Sequence, residues 1–143
     1  MPGEILHLFI KRGHGLPMQE VASVEAVAGQ GLEGDASFGH PRRQVLLVDQ
    51  SNLDEFRLEP GQTRENIVVT GLSLVEIPAG TRLRVGRALL EVTGDCTPCG
   101  QMDSIRPGLR NAIRGRRGLL ARVLEGGRIS VKDAISFEPA THG

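Results

Sequence analysis

Thr81-Arg82-Leu83-Arg84-Val85-Gly86-Arg87-Ala88-Leu89-Leu90-Glu91-Val92 decides the fold. Leu83 and Val85 alternate with polar neighbours, and an apolar run follows the two-residue link Gly86-Arg87, so the stretch predicts a β-hairpin. Working outward, residues 5–10, 44–48 and 66–70 read as further strands. Residues 21–28 also alternate, with Val21, Ser23, Glu25 and Val27 on one face. Residues 119–124 and 128–131, linked through Gly126-Gly127, predict a second hairpin, and residues 134–137 add a last short strand. Two helices are expected. One runs from a cap at Asp49 or Ser51 to about Arg57, with Leu53 and Phe56 inward; the other covers residues 105–114, although Pro107 and Gly108 restrict its start. Many short strands with few helices predict a mainly β chain, a closed or nearly closed β-barrel with one or two short helices. A single domain over residues 1–143 is expected, fraying from about Glu138.

Composition narrows the function classes. Seventeen basic residues balance seventeen acidic ones, which argues against a general binder of nucleic acid or membrane surface, since both need a basic excess. No apolar run approaches a membrane span, and residues 5–10, preceded by Glu4, are too short for a signal peptide. Of the basic residues only Lys11 and Lys132 are lysines. Arginine grips phosphate or carboxylate with two hydrogen bonds, so the imbalance reads either as oxyanion recognition or as a compositional bias.

The predicted hairpin runs directly into Thr93-Gly94-Asp95-Cys96-Thr97-Pro98-Cys99-Gly100, which holds both cysteines of the chain. A bridge between them would close a tiny loop and contribute little, so the pair reads as reactive or metal-binding thiols in a reducing compartment, the cytoplasm. Arg106, Arg110, Arg114, Arg116 and Arg117 follow, opposed only by Asp103. An ordinary thiol has a pKa of about 8.5, and nearby positive charge lowers it, so this region predicts a thiolate facing an anionic ligand. The glycine-rich segment 29–35 either wraps such a ligand with its backbone N–H groups or turns a barrel corner. Other readings stay open. The cysteines are also compatible with ordinary buried thiols or a redox pair, and His40 with either a proton carrier or a plain loop histidine. Zinc is not expected, because there is no second cysteine pair and the four histidines are scattered.

Several segments, taken in order, carry a resemblance: Gly31-Leu32-Glu33-Gly34-Asp35, Arg42-Arg43-Gln44-Val45, Arg64-Glu65-Asn66-Ile67, Gly86-Arg87-Ala88-Leu89-Leu90-Glu91-Val92, Cys96-Thr97-Pro98-Cys99, Arg117-Gly118-Leu119-Leu120-Ala121-Arg122-Val123 and Gly126-Gly127-Arg128-Ile129. Together they resemble the MOSC domain family, named for the C-terminal domain of molybdenum cofactor sulfurase, in its short stand-alone bacterial form. The resemblance implies a β-barrel with a cleft carrying one important cysteine, in proteins that deliver sulfur to, or bind, a molybdenum-pterin cofactor. In the amidoxime-reducing branch that cysteine ligates molybdenum. Cys99 matches it, and Cys96 is shared with many short bacterial relatives. Arg42, Arg64, Glu65, Asn66 and Arg117 match the family's ligand-facing polar positions. The molybdenum-binding reductases carry an extra N-terminal domain for which this chain has no room, so cofactor binding is expected to need a partner protein or to have been lost.

The combined expectation is a barrel in which Cys99 accepts sulfur or ligates molybdenum, with Cys96 as a second catalytic thiol, while Arg42, Arg64, Glu65, Asn66 and Arg117 orient an anionic pterin or a sulfur-carrying small molecule. As an enzyme it would transfer sulfur, or reduce N-hydroxylated compounds with a molybdenum cofactor and a sulfur-donor or reductase partner. The alternative is a non-catalytic anion-binding or protein-interaction barrel with structural cysteines. Pyridoxal phosphate is not expected, because its Schiff base requires a lysine and Lys11 and Lys132 both sit near strand ends in unremarkable contexts.

Overall fold

The computed structural model describes residues 3–13, 15–96 and 100–139. Its strands are β1 (Gly3–Lys11), β2 (Met18–Val21), β3 (Ser23–Val27), β4 (Gly31–Leu32), β5 (Val45–Asp49), β6 (Ile67–Thr70), β7 (Arg82–Val85), β8 (Ala88–Asp95), β9 (Leu119–Glu125), β10 (Gly127–Ser130) and β11 (Ala134–Phe137). The helices are α1 (Gln50–Glu55), α2 (Gly100–Ile105) and α3 (Leu109–Ala112). Strands β11, β7, β8, β9, β5, β6 and β1 pair in that order, and β1 pairs again with β11, so seven strands form a closed barrel as expected. Closure removes the exposed sheet edges that invite aggregation. Every barrel pairing is antiparallel except β5 with β6, which α1 connects. The Asp49 side chain caps α1 by accepting from Ser51 N–H at 3.1 Å.

The β7–β8 hairpin forms with Val85 opposite Ala88, as its sequence predicts. Three other expectations are corrected. Residues 119–131 do not fold back on themselves: β9 pairs with β5 and β8, whereas β10 crosses to a second sheet beside β3. The two glycines are needed for close backbone approach instead of a turn. A Cβ on Gly126 would sit 2.7 Å from the Ala26 carbonyl, and one on Gly127 would sit 2.7 Å from that of Arg87. Of the helix expected over 105–114 only the short α3 forms, and α2 ends at Ile105, because Pro107 disfavours helical geometry at Arg106 and Gly108 takes φ +84°. The run over residues 21–28 is likewise divided, β2 joining β1 and β3 joining β4 and β10. At the C-terminal end, Glu138 N–H donates to the Arg82 carbonyl at 2.9 Å.

Alternation places two apolar clusters on the two faces of the barrel wall. Inside lie Ile5, Leu8, Leu47, Ile67, Leu83, Leu90, Leu119 and Ile135, joined by Val24, Ala26, Leu32 and Ile129 from the small sheet. Outside, Phe9, Leu46, Val48 and Val68 meet Leu53, Met102, Leu109 and Ile113 from the helical segments, and Cys96 is a buried member of the same cluster. Strand β5 is therefore buried on both faces, which accounts for its unbroken apolar run. Each fully buried aliphatic side chain contributes about 1.5–3 kcal/mol. No helix among the described residues is long and apolar enough to cross a membrane.

Gly118 ties the outer layer to the barrel. Its φ is +130°, and a Cβ there would lie 2.7 Å from the Leu47 carbonyl and 2.9 Å from Val48 Cγ2. Gly118→Ala is expected to cost about 2–3 kcal/mol, from backbone strain plus overpacking, read as a lower midpoint in urea unfolding. An unchanged midpoint would mean that the β5 contact yields freely.

Candidate functional site

A cavity of about 310 Å³ opens beside β5, between the end of β1, the segment before β5, the turn before β6 and the segment before β9. Four cationic residues line it: Lys11, Arg43, Arg64 and Arg117. Ser37, His40, Gln44 and Asn66 supply its polar wall, and Cys96 brings a thiol. No carboxylate is among the described residues that line it.

Arg117 is the decisive group. Only 6% of it is exposed, and its Nε and Nη1 are buried with no hydrogen-bond partner among the described residues. A guanidinium left this way is costly, since desolvation of a charge is not offset by any acceptor. Its position is fixed by the next residue: Gly118 packs against β5, and its carbonyl accepts from Cys96 N–H at 2.9 Å. That hydrogen bond sets the cysteine backbone beside the arginine segment.

Asp35 and Asn66 form the frame behind the cavity. Asp35 accepts from Lys11 N–H at 2.7 Å, Ser37 N–H at 2.9 Å and Asn66 Nδ2 at 2.9 Å. Asn66 also donates to the Phe9 carbonyl at 3.1 Å and accepts from Leu46 N–H at 2.9 Å, so both ends of its amide are held by protein. Arg64 stands at φ +62° in the turn before β6 and donates to the carbonyls of Leu16 at 3.0 Å and Gly13 at 3.1 Å. Glu65 is fully buried but does not line the cavity; its carboxylate accepts from Thr63 Oγ1 at 2.6 Å and from Gly61 N–H, holding the turn that carries Arg64.

Arg64, Asn66, Arg117 and Cys96 are thus brought together, whereas Arg42 lines a separate depression with Glu91, Thr93 and Arg122. Arg43 faces the cavity in its place. Cys99 lies outside the described residues. His40 Nδ1 accepts from the N–H groups of Arg42 at 3.2 Å and Arg43 at 3.0 Å, which makes it the acceptor nitrogen of a neutral ring and fixes this alternation. The N–H groups of Gly29, Gln30, Glu33 and Asp35 all donate to backbone carbonyls, so the glycine segment makes a corner of the fold. Sequence reasoning missed Lys11, Arg43 and Gln44. Lys11 gave no local signal, and Gln44 acts through the fold, accepting from Val123 N–H at 2.9 Å and donating to the carbonyls of His40 and Gly29. Among the described residues no group of three or more histidine, cysteine or acidic side chains could hold a metal ion.

Comparisons with known proteins bear on the same residues. The MOSC domain profile matches residues 34–136. Among solved structures, the YuaD protein from Bacillus subtilis superposes with a TM-score of 0.82 at 20% identity, over 94% of each chain. YiiM from Escherichia coli gives 0.74 at 19% identity, over 100% of this chain and 72% of its own, and YiiM from Geobacillus stearothermophilus gives 0.76 at 20%, over 96% and 76%. At these identities the likeness shows a shared fold. No curated protein matches the chain.

Replacing Arg117 by methionine removes the buried unpaired charge, so Arg117→Met is expected to gain about 0.5–2 kcal/mol in chemical unfolding. Sulfate is expected to raise the melting temperature of the wild type and not of the variant; a destabilised variant would show that the guanidinium is satisfied within the fold. With the matched segment spanning residues 34–136 and the barrel shared with these structures, the chain belongs to the MOSC domain family.

Proposed function

We propose that the cavity binds the anionic part of a pterin-type or sulfur-carrying ligand, and that the protein is a sulfur-transfer or molybdenum-cofactor-binding member of its family. The observation that carries this reading is the buried Arg117 guanidinium without an acceptor, on a wall with Lys11, Arg43 and Arg64 and no lining carboxylate. Preorganised cations in a partly dry site bind oxyanions far more strongly than they would in water. The cavity is at the small end of ligand sites, roughly 300–1,000 Å³, which suits the charged end of a larger molecule.

These residues fit the phosphate of a molybdenum-pterin cofactor: Arg117, Arg64, Lys11 and Arg43 would hold it, with a cysteine of the Cys96–Cys99 loop as the soft ligand. When bound, the cofactor would supply two-electron and oxygen-transfer chemistry. The chain's own part is to neutralise the anion through these cations, orient it through the Arg117 fork and keep water out with Leu46 and Leu120. A sulfur donor or reductase partner would supply the second substrate. Pyridoxal phosphate fits less well: Lys11 does line the cavity, but no lining carboxylate is present to pair with a pyridinium nitrogen. One observation favours the second reading, an anion-binding barrel with structural thiols: Cys96 is buried as a member of the outer apolar cluster.

Purification from molybdenum-rich cells followed by metal and pterin analysis tests the first reading. Wild type is expected to carry pterin or molybdenum in stoichiometric amounts, Arg117→Ala neither, and Cys99→Ala less molybdenum. Wild-type protein that contains neither, and that takes up neither from a cofactor-loaded donor, would overturn it.

A further inference from the structure

We propose that Cys96 is itself the sulfur acceptor and that its donor is a sulfonate-bearing sulfane, the thiosulfate class, held by Arg117. This rests on the oxyanion reading of the cavity and adds the acting atom and the substrate. Cys96 and Arg117 line one cavity, and the Cys96 N–H to Gly118 carbonyl bond of 2.9 Å couples the two backbones. Arg117 is more than nine-tenths buried, and its Nε and Nη1 have no acceptor among the described residues. The charge of the wall selects the ligand's charged end. With four cationic residues and, among the described lining residues, no carboxylate, it suits a multiply charged tetrahedral oxyanion, which can accept from Arg117 while Arg43, Arg64 and Lys11 balance the remaining charge. What distinguishes this cavity from a plain phosphate site is the cysteine among its lining residues, 7% exposed, because a donor whose reactive sulfur is bonded to its own anionic group presents both ends at once.

The step balances without an outside oxidant. The Cys96 thiol first loses its proton to water. The thiolate attacks the terminal sulfur of thiosulfate, a Cys–S–S bond forms as the S–SO₃ bond breaks, and sulfite leaves with the bonding pair. The cysteine sulfur is formally oxidised and the sulfonate sulfur reduced, and the product is a Cys96 persulfide. Arg117 stabilises the departing sulfite, where negative charge accumulates. His40 is not the base, since its Nδ1 is already the acceptor for two backbone N–H groups.

The test is incubation of the full chain with thiosulfate, followed by alkylation and peptide mass analysis. A gain of one sulfur atom is expected on Cys96 in wild type and in Cys99→Ser, and on no residue in Cys96→Ser. Thiosulfate loading of Arg117→Ala, measured relative to alkylation of Cys96 by neutral iodoacetamide, is expected to fall roughly tenfold or more, the loss of a charge-assisted hydrogen bond of about 1.5–3 kcal/mol. Arg117→Lys, which keeps the charge without the fork, is expected to fall between. Sulfur found on Cys99 alone, or loading indifferent to Arg117→Ala, overturns the proposal. If thiosulfate protects the wild type thermally but leaves Cys96 unmodified, the acceptor assignment fails while the oxyanion reading stands; if thiosulfate neither protects nor modifies, both fail.

Discussion

A single guanidinium, that of Arg117, is held out of water with two nitrogens lacking any acceptor among the described residues. An isolated buried charge is tolerated only where something else compensates. At an effective dielectric of 20, a unit anion about 4 Å away returns about 4 kcal/mol, comparable to the effective desolvation penalty of several kcal/mol. The cavity therefore makes physical sense as half of an ion pair whose other half is a ligand. Lys11, Arg43 and Arg64 extend the same imbalance along the wall, and nothing acidic among the lining residues opposes it.

Holding a cation there requires rigid surroundings, and the barrel provides them through close backbone approach. Gly118 lies against Leu47 and Val48 where a side chain would collide, and it bonds back to Cys96. Asn66 bridges β5, β1 and Asp35 with one amide. Because β5 is covered on both faces, the wall behind the cavity has little freedom to relax. The interior cluster fills the barrel, while the outer cluster, where strand residues meet the short helices, holds Cys96 beside the cavity.

Much of this was legible in the chain. Period-two alternation and the Gly86-Arg87 link gave the strands and the barrel, because those signals act locally. Gly126-Gly127 misled: in sequence they look like a turn, yet their missing Cβ atoms make room for the carbonyls of Ala26 and Arg87, neighbours that only the fold supplies. Arg42 and Arg43 show the same limit at the site. Sequence cannot tell which of two adjacent arginines faces a ligand, and a histidine three residues upstream of Arg43 settles it by accepting from both backbone N–H groups. Lys11 ends an ordinary strand, and only the pairing of Asp35 with its backbone places it on the wall. Arg117 drew notice as one of a run of arginines; its burial could not be read from a polar, glycine-flanked segment.

Membership of the MOSC family and the shared barrel locate this chain among proteins of one architecture, and the charged cavity is where its own chemistry is concentrated. The most direct measurement is a crystal structure after a selenate soak, with anomalous scattering locating the selenium. One dominant site is expected in the cavity, with selenate oxygens within hydrogen-bond distance of the Arg117 guanidinium. Selenium bound only on the outer surface, with Arg117 paired to a carboxylate of the protein, would contradict it.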